Sequence, residues 1–104
     1  MIKFSTVTDT DGKIIRFTVD GHSGFADSGE DIVCAAVSST VWMTVNGIEA
    51  QKLARVSYEE HDGFVDCIIE EKFSDGADIL LESLVMFIKE LSCQYEDFLK
   101  ITQA

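Results

Sequence analysis

Gly21-His22-Ser23-Gly24-Phe25-Ala26-Asp27-Ser28-Gly29-Glu30-Asp31-Ile32-Val33-Cys34-Ala35-Ala36-Val37-Ser38 is the stretch in which the chain changes its period. Upstream, Ile2, Phe4 and Thr6 alternate with polar neighbours, and Ile15, Phe17 and Val19 do so again beyond Asp11-Gly12. That is the rhythm of two half-buried strands joined by a tight hairpin turn. Downstream, Val37, Val41, Val45 and Ile48 recur at spacings of four, four and three, which predicts a helix from Asp31, its expected N-cap, to about Leu53. Between the two regimes, Gly21, Gly24 and Gly29 punctuate a stretch with little apolar area to pin it, which reads as a mobile loop.

The pattern then repeats. Arg55 to Glu60 and Phe64 to Glu70 flank His61-Asp62-Gly63 and predict a second hairpin, with Val56, Tyr58, Phe64 and Ile68 as its half-buried residues. Ser74 and Asp75 open a second helix whose apolar stripe is Leu80, Leu84, Phe87, Ile88 and Leu91. Residues Phe98 to Gln103 are long enough for a short closing strand. Strand, strand, helix, strand, strand, helix and that closing strand describe an α+β domain of two layers, its helices packed on a mostly antiparallel sheet. With 104 residues, the whole chain, 1–104, is read as one domain.

Charge narrows the partners. Eight basic against 19 acidic residues leave a net −11, a field that repels nucleic-acid phosphates and anionic membranes and favours a basic partner. Gly21-His22-Ser23-Gly24 matches the Gly-x-x-Gly of KH-type RNA modules, but it leads into Glu30 and Asp31, so nucleic-acid binding is not expected. No signal peptide and no membrane span are expected, and an odd number of irregularly spaced cysteines, Cys34, Cys67 and Cys93, points to reduced thiols in the cytosol. The five metal-type side chains, these three with His22 and His61, are scattered, so neither a metal nor another cofactor is expected.

The period-changing stretch also places an imidazole on a loop and a thiol near the start of a helix. In a first turn, Cys34 would face unpaired N–H groups and the positive end of the macrodipole, both of which favour thiolate. Its own N–H would be among those available to an oxyanion. A loop that brings His22 to the sulfur would complete a nucleophile with its general base. Plainer readings stand beside this one: Cys34, between Val33 and Ala35, suits a core position, and His22 suits a solvated loop. Asp31 has two open roles, capping the helix or orienting the imidazole. Ser38, one turn beyond Cys34, either supports the loop or sulfur or bonds back to a carbonyl of its own helix. His61 reads as a surface turn residue, Cys67 and Cys93 as packing residues.

The run from Gly21-His22 through Gly29 to Asp31-Ile32-Val33-Cys34-Ala35-Ala36-Val37-Ser38 resembles the signature of the bacterial ribosomal-processing cysteine proteases, the Prp family. The resemblance extends over nearly the whole chain in length and element order. It implies that Cys34 and His22 form a catalytic pair, that Asp31 and Ser38 belong to the supporting motif, and that Gly21, Gly24 and Gly29 lie in a glycine-rich loop over the active site. It further implies an endopeptidase of the cytoplasm, homodimeric, which removes a short N-terminal extension from a basic large-subunit ribosomal protein. Ser23 departs from the alanine common in the family and bears on loop hydrogen bonding. The alternative of another class is a non-catalytic acidic module that docks on basic ribosomal proteins.

Overall fold

The computed structural model describes residues 1–21 and 28–103, with residues 28–31 described by their backbone. The elements are β1 (Ile2–Thr8), β2 (Ile14–Asp20), α1 (Ser28–Ala50), β3 (Ala54–His61), β4 (Phe64–Lys72), α2 (Gly76–Gln94) and β5 (Leu99–Gln103). They form a mixed sheet of order β3-β4-β2-β1-β5, antiparallel throughout except where β5 lies parallel to β1. The α+β reading and the closing strand are both present.

The two hairpins turn differently. Asp62 and Gly63 both have positive φ, 50° and 78°, and His61 pairs with Phe64 across them, a two-residue turn whose twist matches its strands. Asp11-Gly12 is instead part of a longer connection. Its organiser is Asp9, whose Oδ1 accepts from the N–H groups of Asp11 at 2.9 Å and Lys13 at 3.0 Å. The register of β1 on β2 also shifts between Val7 and Thr8, so that Ile14, and not Ile15, faces the core, while Ile15 is exposed. An alternation read without the bulge falls one residue out of step.

Both helices cover one face of the sheet, and the core lies between the layers. Phe4 and Phe17 stack at its centre with ring centroids 5.7 Å apart, under Val37, Val41, Val45 and Ile48 of α1, all buried as the spacing predicted. Burial of each such side chain contributes about 1.5–3 kcal/mol. On β4 the inward residues are Val65 and Cys67; Phe64 is half-buried, as expected, whereas Ile68 on the same outward face is exposed, contrary to the expectation from β-propensity. On α2 the buried stripe is Ala77, Leu81, Leu84, Ile88 and Leu91. Leu80 instead fills the space beside Gly47 of α1, where an added Cβ would lie 3.3 Å from it, and Phe87 stays partly exposed.

Helix ends differ from the expected ones for local reasons. α1 stops at Ala50 because Lys52 adopts φ 56°, with its N–H on the Glu49 carbonyl at 3.1 Å and that of Leu53 on the Ile48 carbonyl at 2.9 Å. Glycine usually occupies such a left-handed stop, so a lysine there hides it. At the start of α2 the Asp75 side chain makes no capping bond, whereas Ser74 Oγ accepts from the Gly76 N–H at 3.1 Å. Within α1, Ile32–Ala50, in which Glu49 is the charged residue, is long and apolar enough to cross a membrane by length and composition, although no membrane span was expected from the sequence. One face of it, from Val33 to Ile48, is core.

Gly21 leaves β2 with φ +88° against the N-terminus of β1, where a Cβ would overlap the carbonyl oxygen of Met1. Glycine is therefore required there by backbone conformation and by space. Gly21→Ala is expected to lower stability by about 2 kcal/mol or more, read as a reduced urea midpoint with an unchanged slope.

Candidate active site

Cys34 sits on α1, but in its second turn, because the helix already begins at Ser28. The first four N–H groups of a helix are those without intrahelical partners. The Cys34 N–H is thus beyond the set that could serve an oxyanion, and the sulfur lies past the first turn where the macrodipole acts most strongly. Asp31 is likewise inside the helix and is not its N-cap, and Gly29 falls in the first turn of α1, not in the preceding loop. The sequence hid this start because Ser28 to Asp31 carry no apolar periodicity. The side chain of Asp31, and His22, Ser23 and Gly24 altogether, lie outside the described residues.

Cys34 is half-buried and packs against the core cluster. Ser38 follows one turn later, and its Oγ donates to the Cys34 carbonyl oxygen at 2.8 Å, the bond back along the helix that was one of its two readings. Four residues further comes Trp42, so Cys34, Ser38 and Trp42 form one row along α1. Ser38 and Trp42 line a cavity of about 300 Å³ between this helix and the end of the sheet where β2 and β3 finish and β4 begins. Val19, Val37, Val41 and Val65 wall it, and Tyr58 and Glu60 of β3 supply polar groups.

Tyr58 and Glu60 both point toward the helices, two residues apart on one strand face. The Tyr58 hydroxyl donates to Glu60 Oε2 at 2.9 Å. Burial, with that bond and the Glu60 charge, pushes the phenol up to about 12. Sequence reasoning took Tyr58 for a packing residue and singled out neither Trp42 nor Glu60. The signal for Trp42 was its place eight residues after Cys34 on a helix; Glu60 carried none, since only the sheet brings it to α1.

The other thiols and the second histidine stand apart from this arrangement. Cys67 is fully buried on β4, and burial, reinforced by the Asp66 and Glu49 charges, pushes its thiol up to about 12, the opposite of an activated nucleophile. Cys93, near the end of α2, is exposed. His61 is exposed at the β3–β4 turn, its ring tilted against Phe64 at 6.2 Å. Among the described residues, no three His, Cys, Asp or Glu side chains gather as a metal site would require.

A half-buried thiol stands at the head of a helical row that runs into a cleft, and the base that a cysteine hydrolase needs, His22 in the sequence reading, lies outside the described residues. The comparisons name the class more closely: residues 1–100 match the family described as Cysteine protease Prp, and the chain belongs to that family. It is a cysteine protease, the first of the two sequence readings. A Bacillus subtilis (strain 168) protein named ribosomal processing cysteine protease Prp is 26% identical over 112 residues, 98% of this chain and 96% of that one. Its namesake in Mycoplasma pneumoniae is 30% identical over 86 residues, 81% of this chain and 82% of its own. The fold matches that of the essential ribosomal processing protease Prp of Staphylococcus aureus, crystallised with a substrate peptide, at a TM-score of 0.92 and 22% identity over the full length of both.

Proposed function

We propose that this chain removes the N-terminal extension of a basic large-subunit ribosomal protein, with Cys34 as nucleophile and His22 as its base. The observation that carries this reading is the family match over residues 1–100, joined to a thiol on α1 beside a cleft. In the proposed reaction His22 takes the thiol proton and the sulfur attacks the scissile carbonyl. The imidazolium then protonates the leaving amine, and water releases the acyl group. The oxyanion is met by N–H groups that the helix does not consume, which excludes that of Cys34. Asp31 serves this reading as a support of His22 in the first turn of α1, and Ser38 as a brace on the Cys34 carbonyl. The segment from Gly21 to the start of α1 is proposed to close over the site when substrate binds, carrying His22 and Gly24 with it.

The net charge of −11 supports a basic substrate. The reading includes a homodimer of the cytoplasm, for which the exposed Met43, Ile79 and Met86 of the helix layer offer an apolar face. Incubating the purified protein with the unprocessed ribosomal protein of the same genome should yield one truncated product by mass spectrometry, with the mass of the N-terminal extension lost. An unchanged substrate mass would end the assignment.

A further inference from the structure

We propose that the hollow at the far end of α1 binds a small nucleoside phosphate, its base against Phe73 and its phosphate between Lys52 and Arg55. This hollow, of about 650 Å³, is lined by Glu49, Lys52, Ala54, Arg55, Val56 and Phe73. It lies roughly 25 Å along α1 from Cys34, at about 1.5 Å of rise per residue, so it is separate from the cleft described above. Two departures from regular backbone meet there. Lys52 holds φ 56°, a conformation that glycine adopts without strain, so a charged side chain stands where glycine would be the more stable choice. The β3–β4 register shifts between Arg55 and Val56, a bulge that re-aims the side chains beside it. The Phe73 N–H donates to the Leu53 carbonyl oxygen at 2.8 Å, which fixes that residue's backbone next to Lys52, and Phe73 is 58% exposed.

Three kinds of group line the hollow, and a nucleotide has a part for each. Ala54, Val56 and the Phe73 ring offer an apolar floor and a stacking surface for a planar base. Lys52 and Arg55 make the lining net positive on a chain of net −11, which suits a phosphate. Arg55 meets Glu70 and Glu71 at 3.4 and 3.3 Å with its side chain 61% exposed, so those contacts yield to a stronger acceptor. Glu49, the one carboxylate of the lining, accepts from ribose hydroxyls. The net charge favours a single nucleotide over an RNA strand, whose further phosphates would meet the acidic surface.

Titration of the intact, isotope-labelled protein, followed through its backbone amide resonances, reads binding without any need for turnover. Adenosine monophosphate should shift the amides of Lys52, Arg55 and Phe73 and leave those of Ser38 and Trp42 in place. It should bind about tenfold more tightly than adenosine or inorganic phosphate. Phe73→Ala, at an exposed position, should weaken that binding about fivefold or more. Lys52→Gly should weaken it likewise while raising the urea midpoint, because glycine relieves the left-handed turn. Lys89→Gln, far along α2, should leave the affinity as it was. Equal affinity for adenosine and its monophosphate, full binding by Lys52→Gly, or shifts centred elsewhere would each overturn the proposal. So would tighter binding of hexadenylate, which would make the ligand RNA, or of an acidic hexapeptide containing phenylalanine, which would make it a protein segment.

Discussion

On the proposed pairing, Cys34→Ala is expected to abolish cleavage, with kcat lowered by about 10⁴-fold or more, and His22→Ala to do nearly the same. The double variant should be no worse than either, because a nucleophile and its base act as one unit and their losses do not add. Product mass from the ribosomal precursor reads the result. Substantial residual cleavage by Cys34→Ala would remove that residue from the mechanism. Each of the other thiols needs its own control. Cys93 is exposed and will react with any alkylating probe, so a reactivity profile of Cys34 belongs in a Cys93→Ser background. Cys67→Ser would place a hydroxyl in a position of 0% exposure and lower stability by about 1–3 kcal/mol, which would confuse folding with chemistry. Cys67→Ala is the cleaner comparison and should leave turnover largely intact once the protein is folded.

The second large effect is a loss of stability in alkali. In the folded protein the Cys67 thiol is pushed from 9.0 up to about 12, chiefly by burial, so between those values the native state keeps a proton that the unfolded chain has lost. Stability then falls as pH rises, because the unfolded state binds fewer protons. The contribution is intact below about pH 9 and is lost toward pH 12, at a limiting slope of about 1.4 kcal/mol per pH unit. Tyr58, raised in the same direction, adds to the slope above its ordinary 10.0. Urea unfolding at successive pH values should show a falling midpoint from about pH 9, and Cys67→Ala should flatten it even though the variant starts lower. A midpoint that holds steady to pH 11 would mean that Cys67 ionises without cost, contrary to its burial.

Local order was readable wherever a residue's neighbours in sequence decide its environment. The helical spacing of Val37, Val41, Val45 and Ile48 named the buried face of α1, and Asp62-Gly63 named a turn whose positive φ angles few other pairs accept. The motif from Gly21 to Ser38 named the family and brought Cys34 forward among three cysteines. Other features depend on partners distant in the chain. The bulge that turns Ile14 inward and Ile15 outward is a property of β1 pairing with β2, and the parallel place of β5 beside β1 follows from where α2 delivers it. The burial of Cys67 depends on two helices covering β4, so the same residue type ends as an inert thiol on the sheet and a half-buried one on α1. Glu60 and Trp42 meet across a cleft only because strand and helix pack as layers. The sequence by itself determined which segments are strands and helices and which cysteine carries the family motif, because periodicity and motif are local. Register and the cleft's composition were decided by the tertiary structure, because each is set by contacts whose energy no single segment contains.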